Sequence, residues 1–326
     1  MKSSNFINES VFKVNLNYVR LQNKTKELFF KCLDEGRDVD YFKAKLEEIW
    51  DKADYDYLNE QVIEYETIIH EYNLRGKEKE EIEPKKGIFP LVPISVILAV
   101  DNRFQKIKEK EYKKSLESYA YKNDKKEYLK LKVPKYNNQI VPYYSKTTNE
   151  IIRYVQPSTY NSMIHNTNLT RSGWNTTLND AEILGNKYFV IPYHNFSCPH
   201  CIEHQNKLLT KEDVMELGLK AEEQAGDILH PNCKCVLTMD LGLINMGNQW
   251  TNQQKEEFSI IRQKVNTLTL RKEEILTDMK IQKSLGNQDE VDELNKKRNK
   301  INSSIRELKQ QLPTEELQKQ VVAINR

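Results

Sequence analysis

Glycine is scarce in this 326-residue chain, at 10 residues, and neither GxxxxGK[ST] nor GxGxxG occurs. Loops of that kind let backbone amides approach phosphates, so their absence argues against a nucleotide-binding enzyme. HExxH, GxSxG and paired carboxylate motifs are missing too, which leaves no catalytic signature. Long apolar runs are also missing. The most apolar stretch, Ile88 to Val100, is too short to span a bilayer and contains Pro90 and Pro93, so no membrane association is expected. The opening MKSSNFINESVF lacks an apolar core of signal-peptide length. The thiols are therefore expected to meet a reducing cytosol, which favours metal binding or free thiol over disulfide. No charge sign dominates: 50 Lys and Arg stand against 48 Asp and Glu, a net +2, and no global field directs the chain to nucleic acid or an acidic partner. At 38% hydrophobic and 30% charged, the sequence is polar for one large globule. Its core should be divided among small units and long helices.

Helical periodicity is abundant. Phe42, Leu46, Ile49, Trp50 and Ala53, then Val62, Tyr65, Ile69 and Tyr72, mark helices in an N-terminal region over 1–80. The charged stretch Arg75 to Gly87 reads as a solvated linker. Pro93 opens a helix through Ile97 and Phe104 to about Leu116, within a Lys- and Tyr-rich region over 88–136. Lys106, Lys110, Lys113 and Lys114, with tyrosines interleaved nearby, have the composition of a nucleic-acid surface. A solvated helix face, offset by Glu109, Glu111, Glu117 and Glu127, explains the same residues.

The pattern changes over 137–245. Ile140–Tyr144 and Ile151–Val155 predict a β-hairpin around a turn at 145–149. Pro157 starts a long helix whose apolar face runs Tyr160, Met163, Ile164, Trp174, Leu178, Ala181 and Leu184, closed by Gly185. Its middle, Asn166, Thr167, Thr170 and Arg171, is unusually polar for a core helix, and His165 there reads more readily as a surface or core histidine than as a ligand. Lys187 to Tyr193 is the best strand. Gln205-Asn206-Lys207 predicts a tight turn between short strands, Thr210 caps a helix to about Ala225, and Val236 to Met239 looks like a closing strand. Over 250–326 two heptad stripes appear. One is Phe258, Ile261, Val265, Leu268, Lys272, Ile275 and Met279; the other is Val291, Leu294, Arg298, Ile301, Ile305, Leu308 and Leu312, with Gly286-Asn287 between them. They predict an antiparallel, coiled-coil-like helical hairpin that leans on another surface, its own or a partner's. The fold class expected is α+β: mostly helical, with a small antiparallel sheet module.

Four of the five cysteines fall within 40 residues, in Cys198-Pro-His-Cys201 and His230-Pro-Asn-Cys233-Lys-Cys235. Two such bends can grip one ion between them, in the tetrahedral sulfur and nitrogen geometry of structural zinc. The expected ligands are Cys198, Cys201, His230 and Cys233, with Cys235, His204 and His200 as substitutes. The ion's binding energy would then become folding energy for a module too small to hold itself. The alternatives are reduced cysteines packed as small hydrophobes, a later disulfide, or another ligand set. Glu203 near Pro231-Asn-Cys233-Lys-Cys235 echoes zinc deaminases, but the second cluster has P-x-C-x-C spacing where that family has P-C-x-x-C. Cys32 stands alone in a helical stretch.

Residues from about Tyr143 to Asp240 resemble the head-morphogenesis domain of tailed-phage minor capsid proteins, the Mu F-like or minor capsid protein 2 group. The resemblance lies in the order of Tyr143-Tyr144-Ser-Lys, Ile152-Arg-Tyr, Pro157-Ser-Thr-Tyr160, Ser197-Cys-Pro-His-Cys201, Gln205-Asn206-Lys207 and His230-Pro-Asn-Cys233. Asn206 stands where that family has glycine, and Lys234-Cys235 where it has Arg-His, which leaves open whether His230 or Cys235 completes the site. The resemblance covers about a third of the chain. It implies a non-enzymatic virion component made in the bacterial cytoplasm, acting in head assembly and in DNA packaging or ejection. The partners it implies are the portal protein, the major capsid protein, packaged double-stranded DNA and other copies of itself. A nucleic-acid-binding zinc-knuckle protein is the competing expectation, and a zinc hydrolase or deaminase a more distant one.

Overall fold

Helix α7, Pro157–Leu184, is the organising element of the computed structural model, and polar side chains fit it for that place. The structure describes residues 2–53, 55–74, 87–144, 150–194, 196–223, 233–240 and 250–321. Pro157 occupies the first turn of α7, and Gly185 ends it at φ +67°, a left-handed conformation that costs glycine nothing. Ile164, Trp174, Leu178 and Ala181 are buried as their spacing predicts, but so are Asn161, His165, Asn166, Thr170, Asn175 and Thr177. These polar groups bond to neighbouring segments. Asn175 and Asn168 pair with both backbone groups of Phe89 and Val92, at 2.8–3.0 Å. His165 Nε2 meets Ser10 Oγ at 2.8 Å, and burial pushes its pKa down to about 4; it is a core histidine.

Around α7 pack α1 (Lys2–Glu35) and α3 (Tyr55–Leu74); α2 (Val39–Trp50) packs between α1 and α4 (Ile94–Glu117). The helical spacing from Phe42 to Tyr72 is shared by two helices, broken after Trp50, and Tyr72 is exposed. Gly173 lets Tyr65 of α3 press on α7: a Cβ there would lie 2.5 Å from the ring. Helix α4 begins after Pro93 as expected. Its Lys106, Lys110, Lys113 and Lys114 are exposed, whereas Lys108 and Tyr112 are fully buried, Tyr112 stacked on Phe42 at 4.2 Å. Part of the Lys- and Tyr-rich region is therefore core. Short helices α5 (Tyr119–Asn123) and α6 (Lys125–Lys132) follow. Cys32 is buried in the same core, its thiol pKa raised to about 11 by burial.

Strands β1 (Val141–Tyr144) and β2 (Ile151–Val155) form the expected antiparallel hairpin; the turn predicted at 145–149 lies outside the described residues, as does most of the predicted linker. A second sheet has the order β4-β3-β5. Here β3 (Tyr188–Val190) is central, antiparallel to both β4 (Leu208–Thr210) and β5 (Thr238–Met239). The predicted strand at 187–193 is thus shorter as a ladder, with Ile191 to Tyr193 outside it. A one-turn helix, α8 (Pro199–Ile202), stands where a strand was expected before Asn206. Asn206 itself takes the left-handed conformation at φ +56°, and β4 leads into α9 (Lys211–Glu223).

The C-terminal hairpin forms as the heptads predict. Helix α10 (Asn252–Ser284) pairs with α11 (Gln288–Gln310) through Ile275, Leu294 and Ile301, and Gly286 turns the connection at φ +74°. The surface it leans on is its own chain. Lys26 pairs with Asp278 and Lys280 with Glu27, while Ile281 joins the core of α1, α2 and α4. Phe258, Ile261 and Val265 pack on Phe196 and on Leu312 and Leu317; Leu317 lies in α12 (Glu315–Gln320). The fold is α+β, mostly helical with small antiparallel sheets. No helix of the described residues is long and apolar enough to cross a membrane.

Candidate metal centre

Two bends bring Cys201, Cys233 and Cys235 together, with Cys198 beside Cys201. Beyond β3 the chain leads to Cys198, the N-cap of α8. Pro199 occupies the first turn, and the Cys201 amide donates to the Cys198 carbonyl at 3.0 Å. This bend sets Cys198 Sγ 3.1 Å from Cys201 Sγ. The left-handed Asn206 turns the chain back, its amide donating to the Ile191 carbonyl at 2.8 Å. Gln205 Nε2 donates to Ser197 Oγ at 2.8 Å, and that hydroxyl donates to the His194 carbonyl at 2.7 Å.

The second bend has no flanking strand until Thr238, so its carbonyls need other donors. The polar face of α7 supplies them. Asn166 Nδ2 and Thr170 Oγ1 donate to the Cys233 carbonyl at 2.7 and 3.0 Å. Trp174 Nε1 donates to Cys235 O at 3.0 Å, and Thr177 Oγ1 to Leu237 O at 3.1 Å. The donors step along one helix face while the acceptors alternate along an extended segment. This accounts for the polar middle of α7, which sequence periodicity left unexplained.

The Sγ atoms of Cys201, Cys233 and Cys235 lie within 4.8 Å of one another, all buried, and Cys201 and Cys233 are 3.7 Å apart. With Zn–S bonds of about 2.3 Å, the edge of a tetrahedral site is about 3.8 Å, so the spacing fits an ion held by thiolates. None of the five cysteines is in a disulfide. Hydrogen bonds from Cys198, Cys233 and Cys235, followed by burial, push the Cys201 thiol well up. At Cys235 the bond with Cys201 favours the thiolate, but the bond with Cys233 and burial prevail and raise its pKa as well. Only a cation at the centre would invert that preference. The donor set is soft, which suits zinc over hard cations.

Of the residues expected to bind metal, Cys201 and Cys233 converge and Cys235 joins them, while Cys198 touches Cys201 from outside that group of three. His204 is not in the group; the His200 side chain and His230 lie outside the described residues. The histidine that does approach is His194, which the sequence reading did not single out; it lies one residue past the strand predicted over 187–193. Its Nε2 is 3.6 Å from Cys235 Sγ. Burial pushes its pKa down to about 3, helped by Arg262, Lys255 and Lys234, so the ring is neutral at pH 7. Compared with known proteins, the chain matches no protein-family model, no curated protein and no solved structure.

Proposed function

We propose that this chain is a structural minor capsid protein of a tailed bacteriophage, acting in head assembly at the portal and capsid interior and in DNA packaging or ejection. The resemblance over Tyr143 to Asp240 suggests the reading, and one observation supports it: Cys201 meets Cys233 and Cys235, more than 30 residues on in sequence, in a buried thiol cluster among long helices. The ion it would hold is a structural zinc. A catalytic zinc keeps one position open to substrate, whereas Cys201, Cys233 and Cys235 are buried and Glu203, the carboxylate a deaminase would need beside the ion, is exposed. In this reading the module is a rigid hub, its helices dock on the portal, the major capsid protein or further copies, and the exposed lysine face of α4 faces packaged DNA.

The test has two parts. Zinc released from purified protein by thiol modification should approach one equivalent, and mass spectrometry of intact phage heads should find the chain in low copy number. Absence from purified heads would refute the virion assignment even if zinc binds. Turnover of nucleosides or peptides that is lost in Glu203→Gln would favour the hydrolase reading instead.

A further inference from the structure

Two buried cations of α10 pack on the segment that leads into the cysteine cluster, with no anionic partner among the described residues. Lys255 is fully buried, its Nζ lies 3.5 Å from the centre of the Tyr193 ring, and no hydrogen-bond partner is present among the described residues. Arg262, two turns on, is also buried. It lies over the Phe196 ring at 4.8 Å, and donates to Phe196 O at 3.4 Å and to Asn8 Oδ1 at 2.9 Å. Tyr193 and Phe196 stand on either side of His194, and Cys198 follows two residues after Phe196. Both cations act on His194, and Cys198 favours the charged form of Arg262.

Burying an unpaired cation is costly. A cation–π contact and two neutral acceptors offset part of that cost. The missing component is negative charge, and the source the geometry offers is the sulfur cluster. Thiols are neutral, whereas a divalent ion held by four thiolates carries a net charge of minus two.

We propose that Cys198, Cys201, Cys233 and Cys235 bind one zinc ion as a tetrathiolate, and that this dianion is the counter-charge for Lys255 and Arg262, so that metal occupancy locks the C-terminal helical arm onto the module. Three thiolates with a histidine would leave a single negative charge against the two α10 cations. The inference rests on the metal reading above and is independent of the virion assignment.

The test uses the full chain loaded with zinc, or with cobalt(II) as a spectroscopic probe. Wild type should bind one ion, with a sulfur-to-cobalt charge-transfer band that weakens in each of the four Cys→Ser variants. Chelation should raise hydrogen exchange over residues 252–265 while leaving α2 protected. Lys255→Met and Arg262→Met, which keep most of the apolar volume, should each lower zinc affinity about 10- to 100-fold, the range for groups supporting a metal site from outside its ligands. Lys255→Arg, which keeps the charge, should retain most of it, and far-UV circular dichroism establishes that each variant is folded. No bound metal would overturn the metal reading and the coupling with it. One bound zinc, with exchange over 252–265 unchanged on chelation and wild-type affinity in both Met variants, would overturn the coupling alone.

Discussion

Trp174→Phe isolates the contribution of the α7 hydrogen-bond ladder to the cysteine module. The indole is buried among Phe89, Leu178 and the cysteine segment, edge-on to Phe89 with ring centres 6.1 Å apart. Its Nε1 is the one donor to the Cys235 carbonyl among the described residues. Phenylalanine keeps an aromatic ring there but removes that donor and part of the volume. An unpaired buried acceptor costs about 1–3 kcal/mol. The vacated space, roughly 40 Å³ at about 24 cal/mol per Å³, adds about 1 kcal/mol. The expected loss is therefore about 2–4 kcal/mol in urea unfolding of the zinc-loaded protein, followed by far-UV circular dichroism. Because Cys235 lies on the displaced segment, zinc affinity should fall in parallel, by about 10-fold or more. A change under about 0.5 kcal/mol with unaltered affinity would refute the idea that the ladder holds the second bend in place.

Asp101 tests the core elsewhere. It accepts from Tyr55 Oη and Asn161 Nδ2 at 2.8 Å each, and burial raises its pKa to about 6 against the opposing effect of those bonds. The native state therefore holds a proton that the unfolded chain releases near pH 4, so this stability is complete below pH 4 and is lost as pH rises through 6. The shift of about two units corresponds to about 3 kcal/mol. Urea titrations from pH 4 to 7 should show wild type losing about that much relative to Asp101→Asn, and parallel curves would refute it. Gly173→Ala should cost about 1–3 kcal/mol by the same assay, since the added methyl meets the Tyr65 ring; a neutral result would mean that α3 can give way. Replacing Lys106, Lys110, Lys113 and Lys114 with Gln should weaken DNA binding and flatten its salt dependence, by a slope of about 0.9 for each phosphate no longer neutralised. Unchanged binding would remove α4 as a DNA-facing surface.

Features legible in the sequence were those set by local stereochemistry. Pro93 and Pro157 mark helix starts, Gly185 a left-handed end and Asn206 a left-handed turn, because each restricts its own φ. The heptads of α10 and α11 were legible because their period is read directly from the chain. What was not legible depends on partners far away in sequence. Asn166, Thr170 and Thr177 look like poor core residues until the Cys233 and Leu237 carbonyls, more than 50 residues on, are laid against them. Lys108 reads as one more lysine in a basic stretch, yet it is buried beside Tyr136 and pairs with Glu111. Lys255 and Arg262 were not singled out from the sequence, although one signal was available: they sit seven residues apart on the helix face of Phe258 and Val265.

The C-terminal arm is held at its two ends by different physics. Near its turn, Ile281 and Leu285 enter the N-terminal core, and the Lys26–Asp278 and Lys280–Glu27 pairs lie beside them. The Lys280–Glu27 pair is largely exposed and worth little, and the Lys26–Asp278 pair is mostly buried and so little screened, which leaves that end weakly dependent on salt concentration. At its start, Phe258 and Val265 bury against Phe196, but Lys255 and Arg262 bring charge into the same contact. That end is sensitive to whatever sets the charge of the sulfur cluster, while the turn end is not. An arm freed only at its start would pivot about Ile281 rather than leave the chain, which makes the region of Trp250 to Val265 the segment whose position responds to metal.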